Sequence, residues 1–132
     1  MIEARCSCGA LTVQAPGPAR LVVACHCTEC QRRTGAPFGA GAFYPADELR
    51  ISGVSREFVR QGMTGATVRT RFCPDCGSSV YWTADRAPGL VAVAVGCFAP
   101  ADQPRPSSSA WEEGRHDWVQ IDAARHHPQG SG

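Results

Sequence analysis

Lysine and asparagine are both missing from this 132-residue chain, so all 13 of its basic side chains are arginine. With Ala, Gly and Pro abundant, that is the composition of a GC-rich coding sequence, and a bacterial source is expected. The 13 arginines are balanced by 12 acidic residues, and there is no basic tract to grip a nucleic-acid backbone or an anionic membrane surface. Long apolar runs are missing too: nothing approaches the ~20 residues that cross a bilayer. The start, Met1-Ile2-Glu3-Ala4-Arg5-Cys6, lacks the basic and then apolar segments of a signal peptide. These absences predict a cytoplasmic protein with neither a nucleic-acid nor a membrane partner. The length and the 43% hydrophobic content predict one domain over 1–125, followed by a frayed tail at 126–132.

Helical periodicity is also scarce. Short alternating apolar segments recur at Leu11–Gln14, Leu21–Ala24, Phe38–Tyr44, Glu57–Val59, Ala66–Phe72, Val80–Trp82 and Leu90–Val95, and turn signals such as Ala15-Pro16-Gly17-Pro18 and Ala87-Pro88-Gly89 separate them. The pattern predicts a mainly β, mainly antiparallel protein. Thr28–Arg33 reads as a turn or two of helix closing at Gly35, and Ser109–Glu113 as another. Ala99–Ser109, rich in Pro, Ser and Ala, reads as a surface connection, and His116–Ile121 as a last strand. Exposed sheet edges in so small a domain admit a homodimer.

What the chain does have is cysteine: eight of them, seven in three clusters. Cys6-Ser7-Cys8-Gly9 is followed by Cys25-His26-Cys27-Thr28-Glu29-Cys30 and then Cys73-Pro74-Asp75-Cys76-Gly77. In a reducing compartment this spacing points to metal rather than to disulfides. A closed structural zinc takes four ligands and a catalytic one typically three, so seven cysteines divide as Cys6, Cys8, Cys73 and Cys76 plus a tripod of Cys25, Cys27 and Cys30, with two zincs per chain. Spacing alone leaves mixed pairings open, with Cys97 as a rival ligand or a small buried core residue.

The order C-x-C-G, C-H-C-x-x-C with Arg32-Arg33-Thr34-Gly35 after it, F-C-x-x-C-G and Val93-Ala94-Val95-Gly96-Cys97-Phe98 resembles the glutathione-dependent formaldehyde-activating enzymes, or CENP-V/GFA domains. The resemblance implies a β-tent fold of antiparallel sheets around zinc sites. It also implies the same partition, with Cys6, Cys8, Cys73 and Cys76 on structural zinc and Cys25, Cys27 and Cys30 on catalytic zinc. The implied activity is that of a carbon-sulfur lyase, with a small thiol such as glutathione and an aldehyde as partners and S-(hydroxymethyl)glutathione as the adduct. The rival reading is a non-catalytic zinc module of the same fold that scaffolds a partner.

Other residues are read beside these. Arg32 and Arg33 are either solvated side chains or a hold on a substrate carboxylate. Alternation turns His26 away from Cys25 and Cys27, into a supporting role. His116, His126 and His127 have no motif, and Trp82, Trp111, Trp118 and the phenylalanines read as core or pocket wall.

Overall fold

The computed structural model describes residues 1–130. Its elements are mostly strands: β1 (Ile2–Arg5), β2 (Thr12–Ala15), β3 (Leu21–Cys25), β4 (Gly39–Pro45), β5 (Arg50–Ser52), β6 (Arg56–Gln61), β7 (Thr67–Phe72), β8 (Ser79–Ala84), β9 (Leu90–Ala94), β10 (Ser108–Ala110) and β11 (Arg125–His126). One α-helix, α1 (Thr28–Thr34), lies between β3 and β4. The mainly β expectation holds. Among the described residues no helix is long and apolar enough to cross a membrane.

Two sheets form. One is small, in the order β1-β2-β5, and the other has eight strands in the order β11-β10-β3-β4-β9-β8-β7-β6. Because strand side chains alternate, each strand of the large sheet serves two environments. Val22, Ala42, Tyr44 and Val93 are buried against Ala4, Val13 and Ala15 of the small sheet, and Leu11, Cys6, Cys73 and Phe98 complete this core. The residues between them face the other way. Register aligns Leu21 with Phe43, Val23 with Gly41 and Cys25 with Gly39, then Phe43 with Ala92 and Ala92 with Trp82. That second face carries the candidate site.

Three expectations are corrected on the C-terminal side. The stretch read as a surface connection ends in β10, whose Ser108 and Ser109 are fully buried and which runs parallel to β3. Where a second helix was expected, Trp111 adopts a left-handed conformation (φ 54°) and only a 3₁₀ turn follows, at Glu112–Gly114. His116–Ile121 forms no strand. Trp118 stacks on His116, its ring centroid 5.4 Å away, and is 69% exposed rather than core, as Phe58 on the sheet edge is also exposed.

The tail expected to fray is tied down as far as Gly130. β11 pairs with β10, the His127 amide donates to the Ser109 carbonyl at 2.9 Å, and the amides of Glu112 and Glu113 donate to the carbonyls of His127 and Pro128. Ser131 and Gly132, also counted in that tail, lie outside the described residues. Short parallel pairs of Ser, Ala, Arg and His carry no apolar alternation, so backbone bonding rather than burial pattern holds them.

His126 Nδ1 sits 2.8 Å from Glu112 Oε2, and that bond pushes the imidazole above its ordinary value of 6.5. A raised folded value means that the clasp stabilises fully below the ordinary histidine pKa and is lost as pH rises through the raised one. Glu112→Gln is expected to return His126 to the ordinary range in an NMR titration, and to remove any loss of tail protection in hydrogen exchange between mildly acidic and alkaline pH.

Candidate functional site

The first sulfur group is built by two matching turns. The Cys6 amide donates to the Leu11 carbonyl and the Cys73 amide to the Ser78 carbonyl, each closing a loop five residues on. Gly9 (φ 82°) and Gly77 (φ 80°) supply the left-handed step that each loop requires. A Cβ added to Gly77 meets nothing within 4 Å, so backbone conformation rather than crowding calls for glycine there. The Ser7 amide donates to Ser78 Oγ at 3.1 Å, joining one loop to the other.

The result gathers Cys6, Cys8, Cys73 and Cys76 with all sulfurs within 4.8 Å of one another. Cys6 to Cys8 and Cys8 to Cys73 are each 3.6 Å. That is far beyond a disulfide bond of ~2.05 Å. It is close to the ~3.8 Å edge of a tetrahedron with zinc–sulfur bonds of ~2.3 Å. The sulfurs are also prepared for negative charge: the Leu11 amide donates to Cys6 Sγ at 3.2 Å, and hydrogen bonds from the Ser78 hydroxyl and amide hold the Cys76 thiol down at about 5. The donor set fits a tetrathiolate metal ion, with Cys6 and Cys73 embedded in the core and Cys8 at the surface.

The second group forms where β3 ends and α1 begins. Cys25 is the last residue of β3, Cys27 caps α1 with its sulfur 3.4 Å from the Cys30 amide, and Cys30 lies in the first turn. Gly35 (φ 65°) closes the helix, as its position in the sequence predicts. The three sulfurs lie within 4.8 Å of one another, and no fourth His, Cys, Asp or Glu of the described residues joins them. Hydrogen bonds from Cys25 and Cys30 concentrate negative charge on Cys27, whose thiol lies far below its usual range, and Cys25 is driven up in consequence. Three thiols this close favour a cation, which relieves that competition by taking all three as thiolates.

His26 is fully buried, with Nε2 2.9 Å from Ser109 Oγ. Burial lowers its pKa, keeping the ring neutral. Its amide donates to the Ala110 carbonyl and its carbonyl accepts from Gln31 Nε2, so it ties the tripod loop to β10 and α1 and belongs to neither sulfur group. Cys97 is likewise outside both groups. Half-buried, with Sγ 3.6 Å from the Ser79 carbonyl, its thiol is pushed up to about 11 by burial.

Cys25 and Cys30 open onto a cavity of about 310 Å³ on the second face of the large sheet. Its walls include Phe43, Trp82 and Trp111, and its charged lining residues are Arg33, Arg60 and Arg86, with no Asp or Glu. Its volume falls at the small end of ligand pockets, ~300–1,000 Å³. A wider groove of about 840 Å³ lies on the other side of Arg33 but includes none of the seven clustered cysteines.

Arg32 and Arg33 separate sharply. Arg32 is 72% exposed and pairs with Glu29 at 3.1 Å across one helical turn, worth only ~0.3–0.5 kcal/mol. Arg33 turns inward and lays its guanidinium 4.1 Å from the centroid of the Trp82 ring, an interaction worth ~0.5–2 kcal/mol. Two glycines of β4 make room for this pair. A Cβ on Gly39 would stand 2.7 Å from an Arg33 Nη, and one on Gly41 2.7 Å from the Trp82 ring. Arg60, Gly39 and Gly41 escape a reading based on cysteine spacing. The signal for the two glycines was a Gly-x-Gly inside a strand, which marks close approach by another group; Arg60 carries no local signal.

Comparison with known proteins agrees with this architecture. A search of curated proteins finds no match. A crystal structure of a Rhodobacter sphaeroides protein superposes with a TM-score of 0.59 at 22% identity, covering 80% of this chain and 97% of that one, which shows a shared fold. The sequence model of the glutathione-dependent formaldehyde-activating enzymes matches residues 1–114, a span that includes both sulfur groups, and the chain belongs to that family.

Proposed function

We propose that the protein is a zinc-dependent carbon-sulfur lyase-like enzyme that forms or cleaves the adduct of a small thiol, of glutathione type, with formaldehyde or a related aldehyde. The observation that carries this reading is the three-sulfur group of Cys25, Cys27 and Cys30 beside a cavity open to the surface, without a fourth ligand among the described residues. Zinc bound by three thiolates keeps an open position and there lends Lewis acidity to a thiol or a carbonyl oxygen. In this reading Cys6, Cys8, Cys73 and Cys76, none of which lines the cavity, hold a second, structural zinc.

The reaction is an addition. The thiol sulfur bonds to the aldehyde carbon, the carbonyl π bond breaks, and the proton lost from the thiol ends on the oxygen, giving S-(hydroxymethyl)glutathione without redox change. Cleavage is the reverse. The chain's part is to position the two reactants in a cavity walled by Phe43, Trp82 and Trp111, while the arginines favour deprotonated sulfur.

Metal analysis of the purified protein is expected to give two zincs per chain. Cys27→Ser should lose one of them and keep the fold, because serine caps a helix at least as well as the cysteine it replaces. Cys76→Ser should instead cost about 3 kcal/mol, a fall of ~10 °C in the melting midpoint.

Exchange of ¹³C-labelled formaldehyde with its glutathione adduct, followed by NMR, tests the activity. The wild-type protein is expected to accelerate exchange, and Cys27→Ser to return it to the uncatalysed rate. A wild-type protein that carries two zincs and leaves the exchange rate unchanged would instead be a non-catalytic module.

A further inference from the structure

We infer that Arg33 and Arg60 form an anion clamp in the cavity, so that the site selects thiols bearing a carboxylate over neutral thiols. This rests on the reading that a thiol reaches the Cys25–Cys27–Cys30 group.

The charge of the cavity is the first argument. Its lining includes Arg33, Arg60 and Arg86 and no acidic residue. Elsewhere on the large sheet arginines find carboxylates: Arg69 pairs with Asp85 at 2.9 Å and Arg71 with Glu57 at 3.1 Å. Among the described residues no carboxylate lies within ion-pair distance of Arg33 or Arg60. Arg60 is half-buried and its Nη1 reaches only the Gln61 carbonyl, at 3.4 Å. Arg33 does hydrogen-bond the Cys30 sulfur, so the counter-charge in the cavity is that of the cysteine sulfurs alone. Partly buried guanidinium groups that share such a cavity without a carboxylate are matched by an anionic ligand.

Geometry is the second. β6 and β7 align Arg60 with Val68, and β7 and β8 align Val68 with Ala84, which places Arg60 on the sheet face that bears Cys25. Arg33 arrives from α1, one helical turn beyond Cys30, and the Trp82 ring fixes the plane of its guanidinium. Stacking uses the face of that group; one N–H meets the Cys30 sulfur, and the remaining N–H groups are left for a carboxylate. Gly39 and Gly41 supply the space that the stacked pair occupies. A ligand with sulfur at the cysteines can present a carboxylate to Arg33 and Arg60 within the same cavity.

Cobalt-substituted protein provides the test, since a thiol entering the open position changes the cobalt–thiolate absorption bands. Glutathione and mercaptoacetate are expected to bind at least tenfold more tightly than 2-mercaptoethanol, which lacks a carboxylate. Arg60→Met and Arg33→Met should each weaken the acidic thiols about tenfold and leave 2-mercaptoethanol unchanged, a loss typical of one charge-assisted contact. Gly39→Ala, which displaces the Arg33 guanidinium without removing its charge, should weaken them in the same sense. S-methylglutathione, which keeps both carboxylates and lacks a free thiol, is followed separately by tryptophan fluorescence.

Equal affinity for acidic and neutral thiols would overturn the clamp and leave the proposed activity standing. Arginine-dependent binding of S-methylglutathione, with no thiol altering the cobalt bands, would uphold the anion clamp while the thiol-on-metal reading falls and selection among thiols with it. No response to any of these compounds would remove both.

Discussion

The alternation of β3 across the large sheet is the constraint from which the rest follows. Val22 and Ala24 turn into the core, and Leu21, Val23 and Cys25 turn to the opposite face. A shift of one residue in the pairing of β3 with β4 would exchange these sets, burying Cys25 in hydrocarbon and exposing two core residues. The five aligned pairs between Leu21 and Cys25 on one strand and Phe43 and Gly39 on the other hold that register. Core and cavity are thus two consequences of one strand pairing, and the first sulfur of the tripod is placed by the packing that stabilises the domain.

The two sulfur groups divide along the same line. Cys6 and Cys73 are part of the buried cluster, so the four-sulfur group continues the core and fastens the first turn of the chain to the loop between β7 and β8. Cys25 ends a strand, and Cys27 and Cys30 follow at the start of α1, on a segment whose backbone is tied by Gln31 to His26 and Gly114. Their ligand geometry depends on a short helix and its cap more than on burial. A three-sulfur group formed this way can lack a fourth ligand without opening the core.

How much of this was legible follows from which signals are local. Alternation exposed the central strands, cysteine spacing marked three clusters while leaving mixed pairings between them open, and Gly35 marked the end of the helix, all features confined to a few neighbouring residues. β10 and β11 were missed because three and two residues of Ser, Ala, Arg and His carry no period. Their places are fixed by backbone bonds to β3 and to each other. The differing fates of Arg32 and Arg33 were equally hidden. Neighbours on a helix point about 100° apart, and the one drawn inward is the one that meets Trp82, 49 residues away in sequence.

Arg33 also shows why a cavity of this kind is made of glycine and arginine together. A guanidinium in a partly buried site needs a counter-charge or a polarisable neighbour; the Cys30 sulfur provides a hydrogen-bond partner and Trp82 a stacking face that does not neutralise the charge. A carboxylate partner in its place would quench the positive field beside the thiolates. Side chains at positions 39 and 41 would push Arg33 and Trp82 away from the sheet and into the space a ligand occupies. Gly39 and Gly41 weaken β4 as a strand, by ~0.5–1 kcal/mol each relative to alanine. That cost is offset by a stacked pair that stays charged, stays oriented and leaves the cavity open.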